Sequence, residues 1–405
     1  MIDFAQRVKR LAIHVDGVDG GALERASQYR FAYSPASHLP VSLIMPLEDR
    51  EFADNELFAA MDMNLPEGFL LAQIRERAPK TAPTKMQLLA LMGSNGIGRL
   101  DYSLAEQPPA ARPAAIERER LLRDGAGVDG SIFSELVEAY LETGSGLSGV
   151  QPKIIVPERG TFPIPNLIVK YGGPAYPGIA ANEYLCLQAA QRAGVPVPTH
   201  ALSADASLLV IDRFDLRRGG ERLGFEDIAA LLDLRVGGAL SDRKYHGSYE
   251  DVADVLADFC TDPAAARSAF FDYLALVVML RNGDGHLKNF GVSYDSQSVW
   301  LAPIYDLVAT VLYPYERGNG TVVVDRTMAL RLRRGKGSRA YPQFDELLSF
   351  GRDICAVADP GAVIERLRAA IADTLDAAQS DERISRSLIE PLAAVWTASL
   401  AVYRS

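Results

Sequence analysis

The sequence predicts an α+β fold in two lobes, a small β-rich N-terminal subdomain leading to a mainly helical C-terminal lobe. Three observations carry that prediction. Leu11–Val15 and Tyr29–Tyr33 are apolar-enriched and alternating, with glycines between them, which is the pattern of strands around a turn. Between residues 166 and 211 the order runs strand, helix, strand. From about residue 225 onward helical segments dominate.

The elements follow in order. The first strands place a small sheet at the start, residues 1–105. Glu106–Pro113 holds three prolines and no periodicity, so it reads as an exposed connection and a subdomain boundary. Residues 117–220 form the next segment: Asn166–Lys170 as a strand, Asn182–Ala193 as a helix stopped by Gly194 and Pro196, and Leu208–Ile211 as a buried strand. Residues 221–405 carry helices at Val252–Phe259, Ala269–Leu280, Ala362–Ala378 and around Leu388–Tyr403. The β-like pieces Gly291–Tyr294 and Val299–Leu301 interrupt them, and a hairpin there carries the chain after it back towards residue 284.

Composition narrows the function classes. The chain has 405 residues, 48% of them apolar, as in an ordinary globular protein with room for two or three packed units. Its net charge of −10 argues against non-specific nucleic-acid binding by the chain alone, which depends on Lys and Arg releasing counterions. Cys186, Cys260 and Cys355 are far apart and form no C-x-x-C pair, which points to a reduced, cytoplasmic compartment without zinc or disulfides. No secretory signal is expected at the N-terminus. The apolar run Ala269–Leu280 is interrupted by Asp272 and is too short for a bilayer, which needs roughly 20 residues. It reads as a buried helix, with no membrane partner.

The chemistry concentrates in Arg281–Gly291 and in Pro303-Ile304-Tyr305-Asp306. Asp284, Asn289 and Asp306 stand in the order in which protein-kinase-like sites present a catalytic Asp, a Mg²⁺-holding Asn and a second Mg²⁺-holding Asp. The Asp-to-Asn offset of five matches the kinase loop H-R-D-L-x-x-x-N, although no H-R-D is present. An Asp with an ordinary pKa of about 3.9 is a weak base, so Asp284 is expected to orient the acceptor hydroxyl and take its proton late. His286 reads as a hydrogen-bonded packing residue near the nucleotide. Lys288 either neutralises the transferring phosphate or is solvated.

Upstream, Gly144–Lys153 is glycine-rich and precedes the apolar residues Ile154-Ile155-Val156. Glycines let backbone N–H groups approach phosphate oxygens, but the run matches neither the Walker pattern nor G-x-G-x-x-G. Lys170 ends an apolar strand, where a cation needs an anion such as ATP phosphate, with Glu183 a possible carboxylate partner. Glu183 in a first helical turn is equally explained by the macrodipole. Asp212 and Phe214 follow the second strand: Asp212 faces the nucleotide or pairs with Arg213. Arg331, Arg333, Arg334, Lys336 and Arg339 form a basic run, a solvated loop or a docking patch for an acidic partner.

Taken together these motifs resemble the HipA-like serine/threonine kinases, the toxin half of bacterial toxin–antitoxin pairs. Pro40–Leu47 is similar to the family's small-domain signature, Ser148–Lys153 to its phosphate loop, Asn182-Glu183-Tyr184 to its helix motif, and Gly283–Phe290 with Pro303–Asp306 to its catalytic and metal segments. The resemblance implies that Ser148, Gly149, Val150, Gln151 and Lys153 form the phosphate loop and that Lys170 holds ATP phosphates; Asp212, Phe214, His286 and Lys288 complete the expected ATP site. It also implies Asp284 as the catalytic Asp, and Asn289 and Asp306 as Mg²⁺ ligands. The implied substrate is a translation protein such as an aminoacyl-tRNA synthetase, and the implied outcome is growth arrest or persistence. The implied partner is a helix-turn-helix antitoxin, with DNA contacted mainly through it. The family's commonest autophosphorylated serine corresponds to Gly146 here, which has no hydroxyl, so autophosphorylation is expected at Ser148, with Ser145 second. A phosphate there repels those of ATP. Two other readings stay open: a kinase of small molecules, and a catalytically silent ATP-binding module that assembles with a repressor.

Overall fold

The computed structural model describes residues 7–77, 82–94, 96–104, 115–143, 153–159, 165–174, 176–217, 219–316, 320–335 and 337–404. It is a mixed α and β protein whose sheets are built of short strands and whose C-terminal part is helical. In chain order the strands are β1 (Arg10–Val15), β2 (Val18–Arg25), β3 (Tyr29–Tyr33), β4 (Glu51–Asp54), β5 (Leu100–Ser103), β6 (Lys153–Val156), β7 (Leu167–Tyr171), β8 (His200–Leu202), β9 (Leu208–Asp212), β10 (Gly224–Asp227), β11 (Gly291–Tyr294) and β12 (Val299–Leu301). The sheet orders are β4-β3-β2-β1-β5, β6-β7-β9-β8 and β10-β11-β12, and two further short strands, Tyr315–Glu316 and Val322–Val323, pair antiparallel. The helices that matter below are α1 (Ile179–Arg192), α2 (Tyr249–Phe259), α3 (Pro263–Met279), α4 (Pro360–Ala378) and α5 (Arg386–Val402).

The chain groups into two compact units. The first comprises Met1–Tyr171, Val210–Arg243 and Ser293–Gln297; the second comprises Gly172–Leu209, Lys244–Val292 and Ser298–Ser405. The connection expected at residues 106–113 lies outside the described residues.

In the first unit the alternation of β1 turns Leu11, Ile13 and Val15 inward, where Leu23 of β2 and Phe31 of β3 complete one apolar face. Two buried carboxylates tie distant segments together here. Glu226 accepts from Ser42 Oγ (2.6 Å), the Leu43 amide (2.8 Å) and Tyr294 Oη (2.9 Å), so it pins the Pro40–Leu47 segment. Asp215 accepts from Arg213 (3.0 and 2.6 Å) and from the Gly98 amide (2.6 Å), while Arg213 also donates to Pro165 O and Gly96 O. Both side chains are wholly buried, and this dense bonding is what makes a buried ion pair tolerable.

The second unit is built around α3, which is buried almost throughout its C-terminal half. Its start is set by Asp262, which accepts from the Ala265 amide, and by Pro263 in the first turn, so it begins six residues before the apolar run. α2 and α4 pack on α3, and α4 also packs on α1. Helix α1 begins at Ile179, not Asn182, because Gly178 in a left-handed conformation opens it. Glu183 therefore lies beyond the first turn, and the macrodipole does not account for it. No helix among the described residues is long and apolar enough to cross a membrane.

Candidate active site

Arg281–Gly291 is a loop that α3 delivers and that packing holds in place. The end of α3 is fixed by Trp396 of α5, fully buried, whose indole donates to Leu280 O (3.3 Å). Arg281 then takes a left-handed backbone (φ 59), unusual for a residue with a side chain. Its guanidinium lies over the rings of Tyr341 (4.4 Å) and Tyr403 (5.9 Å), which helps hold the turn. Gly283 sits so close to the chain that a Cβ there would meet Thr327 O at 2.7 Å, so no other residue fits. The Gly283 amide donates to Thr310 Oγ1 (2.7 Å), and the Asp284 amide to Asn282 Oδ1 (3.0 Å). Tyr249 Oη donates to Gly285 O (2.9 Å).

The hairpin of β11 and β12 returns the chain as the sequence predicts. Tyr273 Oη of α3 donates to Ala302 O (3.0 Å), and the Ile304 amide donates to Pro196 O (3.0 Å). Asp306 is left beside the loop, with Asn282 Nδ2 donating to its carbonyl (3.4 Å) and Tyr305 Oη donating to Lys288 O (2.9 Å). Asp306 itself has a left-handed backbone (φ 51). Just beyond it, Asn182 of α1 clamps Ala309 twice: its Oδ1 accepts from the Ala309 amide (2.9 Å) and its Nδ2 donates to Ala309 O (3.2 Å). Strained or clamped backbone concentrated at one acidic loop is a common mark of function.

Within this loop the polar groups differ in environment. The Asp284 side chain is 48% exposed, and Tyr245 Oη donates to its Oδ1 (2.8 Å). His286 is buried with its Nε2 3.9 Å from that same oxygen, edge-on to the Tyr245 ring. Its Nδ1 has no hydrogen-bond partner among the described residues. Burial first, and then the ammonium groups of Lys244 and Lys288, hold its imidazole well below the ordinary value, leaving the ring neutral. Asn289 is buried, and its Oδ1 likewise has no partner among the described residues. A buried acceptor left unpaired is costly unless something absent from the protein chain satisfies it. Magnesium takes oxygen ligands, and the Asn289 amide oxygen with the Asp306 carboxylate is a donor set of that kind.

Among the described residues, four of the other expected site residues belong to the first unit. Lys153 and Lys170 are directly opposite partners across the β6–β7 pair, on one sheet face, and both are buried (8% and 3% exposed). Two ammonium groups so placed repel each other and favour an anion nearby. Asp212 pairs with Arg118, which also holds Glu158 in a two-pronged contact (2.9 and 3.0 Å). Of the two readings of Asp212, pairing with Arg213 is not what forms: Arg213 is committed to Asp215, which reaches both its Nε and its Nη2. Phe214 packs edge-on against Phe225 (5.2 Å between centroids). Ser145, Ser148, Gly149, Val150 and Gln151 lie outside the described residues.

The basic run at 331–339 is not a free positive patch. Arg334 pairs with Asp251 and Asp254, Arg333 with Asp353 (3.0 Å), and Arg339 donates to Tyr245 O (2.7 Å). Lys336 lies outside the described residues. Reading the sequence alone missed Tyr245, Asn182 as a clamp, Thr310 and Arg118; each acts through a contact distant in sequence. For Tyr245 the only available signal was an aromatic residue just ahead of the capping box Ser248–Asp251.

A loop bearing Asp284 and Asn289, answered by Asp306 after a hairpin, on an α+β scaffold defines a protein of the kinase-like fold class. Comparison with known proteins agrees. HipA of Shewanella oneidensis MR-1, solved with HipB and operator DNA, superposes with a TM-score of 0.71 at 17% identity, over 97% of this chain and 96% of that one. The family model of the HipA N-terminal domain matches residues 11–103, and that of the HipA-like C-terminal domain matches residues 145–381. The chain belongs to the HipA-like family. It is 26% identical to Y4mE of Sinorhizobium fredii, named as a candidate kinase, over 72% of this chain and 74% of the relative. A Haemophilus influenzae protein also named as a candidate kinase is 27% identical over 54% of this chain and 69% of its own length.

Proposed function

We propose that this chain is an ATP- and Mg²⁺-dependent serine/threonine protein kinase, the toxin component of a toxin–antitoxin pair. The observation that carries the proposal is the buried Oδ1 of Asn289, without a partner among the described residues, on the loop that carries Asp284 and that Asp306 is returned beside. Lys153 and Lys170, buried and opposite each other across β6–β7, are the cations that this reading assigns to nucleotide phosphate. In this reading Lys170 holds ATP phosphates, with Lys153, Lys288 and the Ser148–Gln151 segment contributing. Asp284 orients the acceptor hydroxyl. As the acceptor oxygen bonds to the γ-phosphorus, the bond from that phosphorus to the ADP oxygen breaks, and the acceptor proton passes late to Asp284. Mg²⁺ held by Asn289 and Asp306 would neutralise charge on the phosphates. Neutral His286, its Nε2 3.9 Å from Asp284 Oδ1, adds no positive charge.

The HipA neighbour was solved with HipB and operator DNA, which supports a helix-turn-helix antitoxin partner, and the net charge of −10 suits DNA contact made through that partner. A translation protein such as an aminoacyl-tRNA synthetase is the proposed substrate, and Ser148, then Ser145, the proposed self-modified residues. The test is the intact mass of the wild-type chain and of Asp306→Asn after incubation with ATP and Mg²⁺. Added phosphate on the wild type alone is expected. No gain on either, from unmodified protein shown to bind ATP, together with no labelled phosphate on any protein of a host extract, overturns the kinase reading.

A further inference from the structure

We propose that Tyr245 is the positioning residue for the Asp284 carboxylate, an inference that rests on the kinase reading of Asp284. A carboxylate nearly half exposed turns about its own single bonds unless a donor fixes it, and an acceptor hydroxyl needs it in one orientation. Tyr245 Oη supplies that donor, 2.8 Å from Oδ1. A carboxylate has about four lone-pair sites, so one bond from a phenol leaves capacity for the acceptor hydroxyl.

Tyr245 is itself held on several sides, as a positioning group must be. Its carbonyl accepts from Arg339 Nη2 (2.7 Å). Its ring meets the buried His286 ring edge-on, with centroids 5.2 Å apart and planes at 79°. The buried Lys244 ammonium lies 5.4 Å from the ring centroid. Arg339 is thereby one step further out, which gives one member of the basic run a task at the site without any partner docking on it.

The experiment compares wild type, Tyr245→Phe, Asp284→Asn and the double variant in single-turnover reactions with ATP and Mg²⁺, following both ADP formation and mass gain. ATP affinity and thermal unfolding are measured on the same samples. Tyr245→Phe keeps the ring and its packing and removes only the hydroxyl. Its transfer step is expected to slow about tenfold, the range for losing a hydrogen bond to a charged group, with ATP affinity and melting temperature unchanged. In the Asp284→Asn background the same change should have no further effect. A Tyr245→Phe rate within twofold of wild type, or an equal loss in both backgrounds, overturns the inference while leaving the kinase reading intact. A wild type that forms neither ADP nor phosphoprotein overturns both.

Discussion

Replacing Asn289 by leucine should stabilise the unliganded protein while removing its response to Mg²⁺ and ATP. The reason is the Oδ1, which has no partner among the described residues: a buried acceptor without one costs about 1–3 kcal/mol. Leucine keeps the branched shape without the acceptor and so recovers most of that cost. Its greater volume in a tight turn takes part of the gain back, leaving about 1 kcal/mol. The second unit holds roughly 200 residues, and at about 2.1 cal/mol/K of unfolding entropy per residue that gain raises its melting point by about 2 °C. The assay is calorimetry in EDTA and again with Mg²⁺ and ATP. Wild type should melt lower in EDTA and rise on adding both ligands, since binding to the folded state stabilises it. Asn289→Leu should start higher and fail to rise. A variant that melts lower than wild type in EDTA, or that rises as much with ligand, would refute the reasoning that this oxygen awaits a cation.

Two further outcomes follow from buried groups elsewhere. Asn182→Ala strips both partners from the buried backbone of Ala309, three residues past Asp306, and should cost about 2–5 kcal/mol in denaturant unfolding; a loss below about 1 kcal/mol would contradict the clamp. Burial, the leading cause, raises the pKa of Glu226 above its ordinary 4.5, so the folded protein holds this proton more tightly than the unfolded chain. That contribution to stability is complete below pH 4.5 and is lost as pH rises through the raised value. Glu226→Gln can keep the contacts to Ser42, Leu43 and Tyr294, and urea midpoints from pH 4.5 to neutral should decline less for it than for wild type. Equal declines would place the linkage on another group.

The kinds of element, their order and the acidic loop are all written in local sequence. Alternating runs, helical periodicity and the spacing of Asp284, Asn289 and Asp306 are local patterns, and the hairpin at 291–301 was legible because two short strand-like runs follow one another closely. The start of α1 was less legible, since a left-handed glycine opens it and the Asn182-Glu183 pair looks like a beginning. What the tertiary structure alone decided is which side chains meet. Tyr245 reaches Asp284 across 39 positions, Asp212 finds Arg118 across 94, and Asn182 grips Ala309 across 127. Arg213 likewise turned away from its neighbour Asp212 because the buried Asp215 offers both carboxylate oxygens to its guanidinium. Local pattern encodes backbone preference and burial. Partner choice among polar groups depends on which of them are desolvated together, and that is known only once the chain has closed on itself.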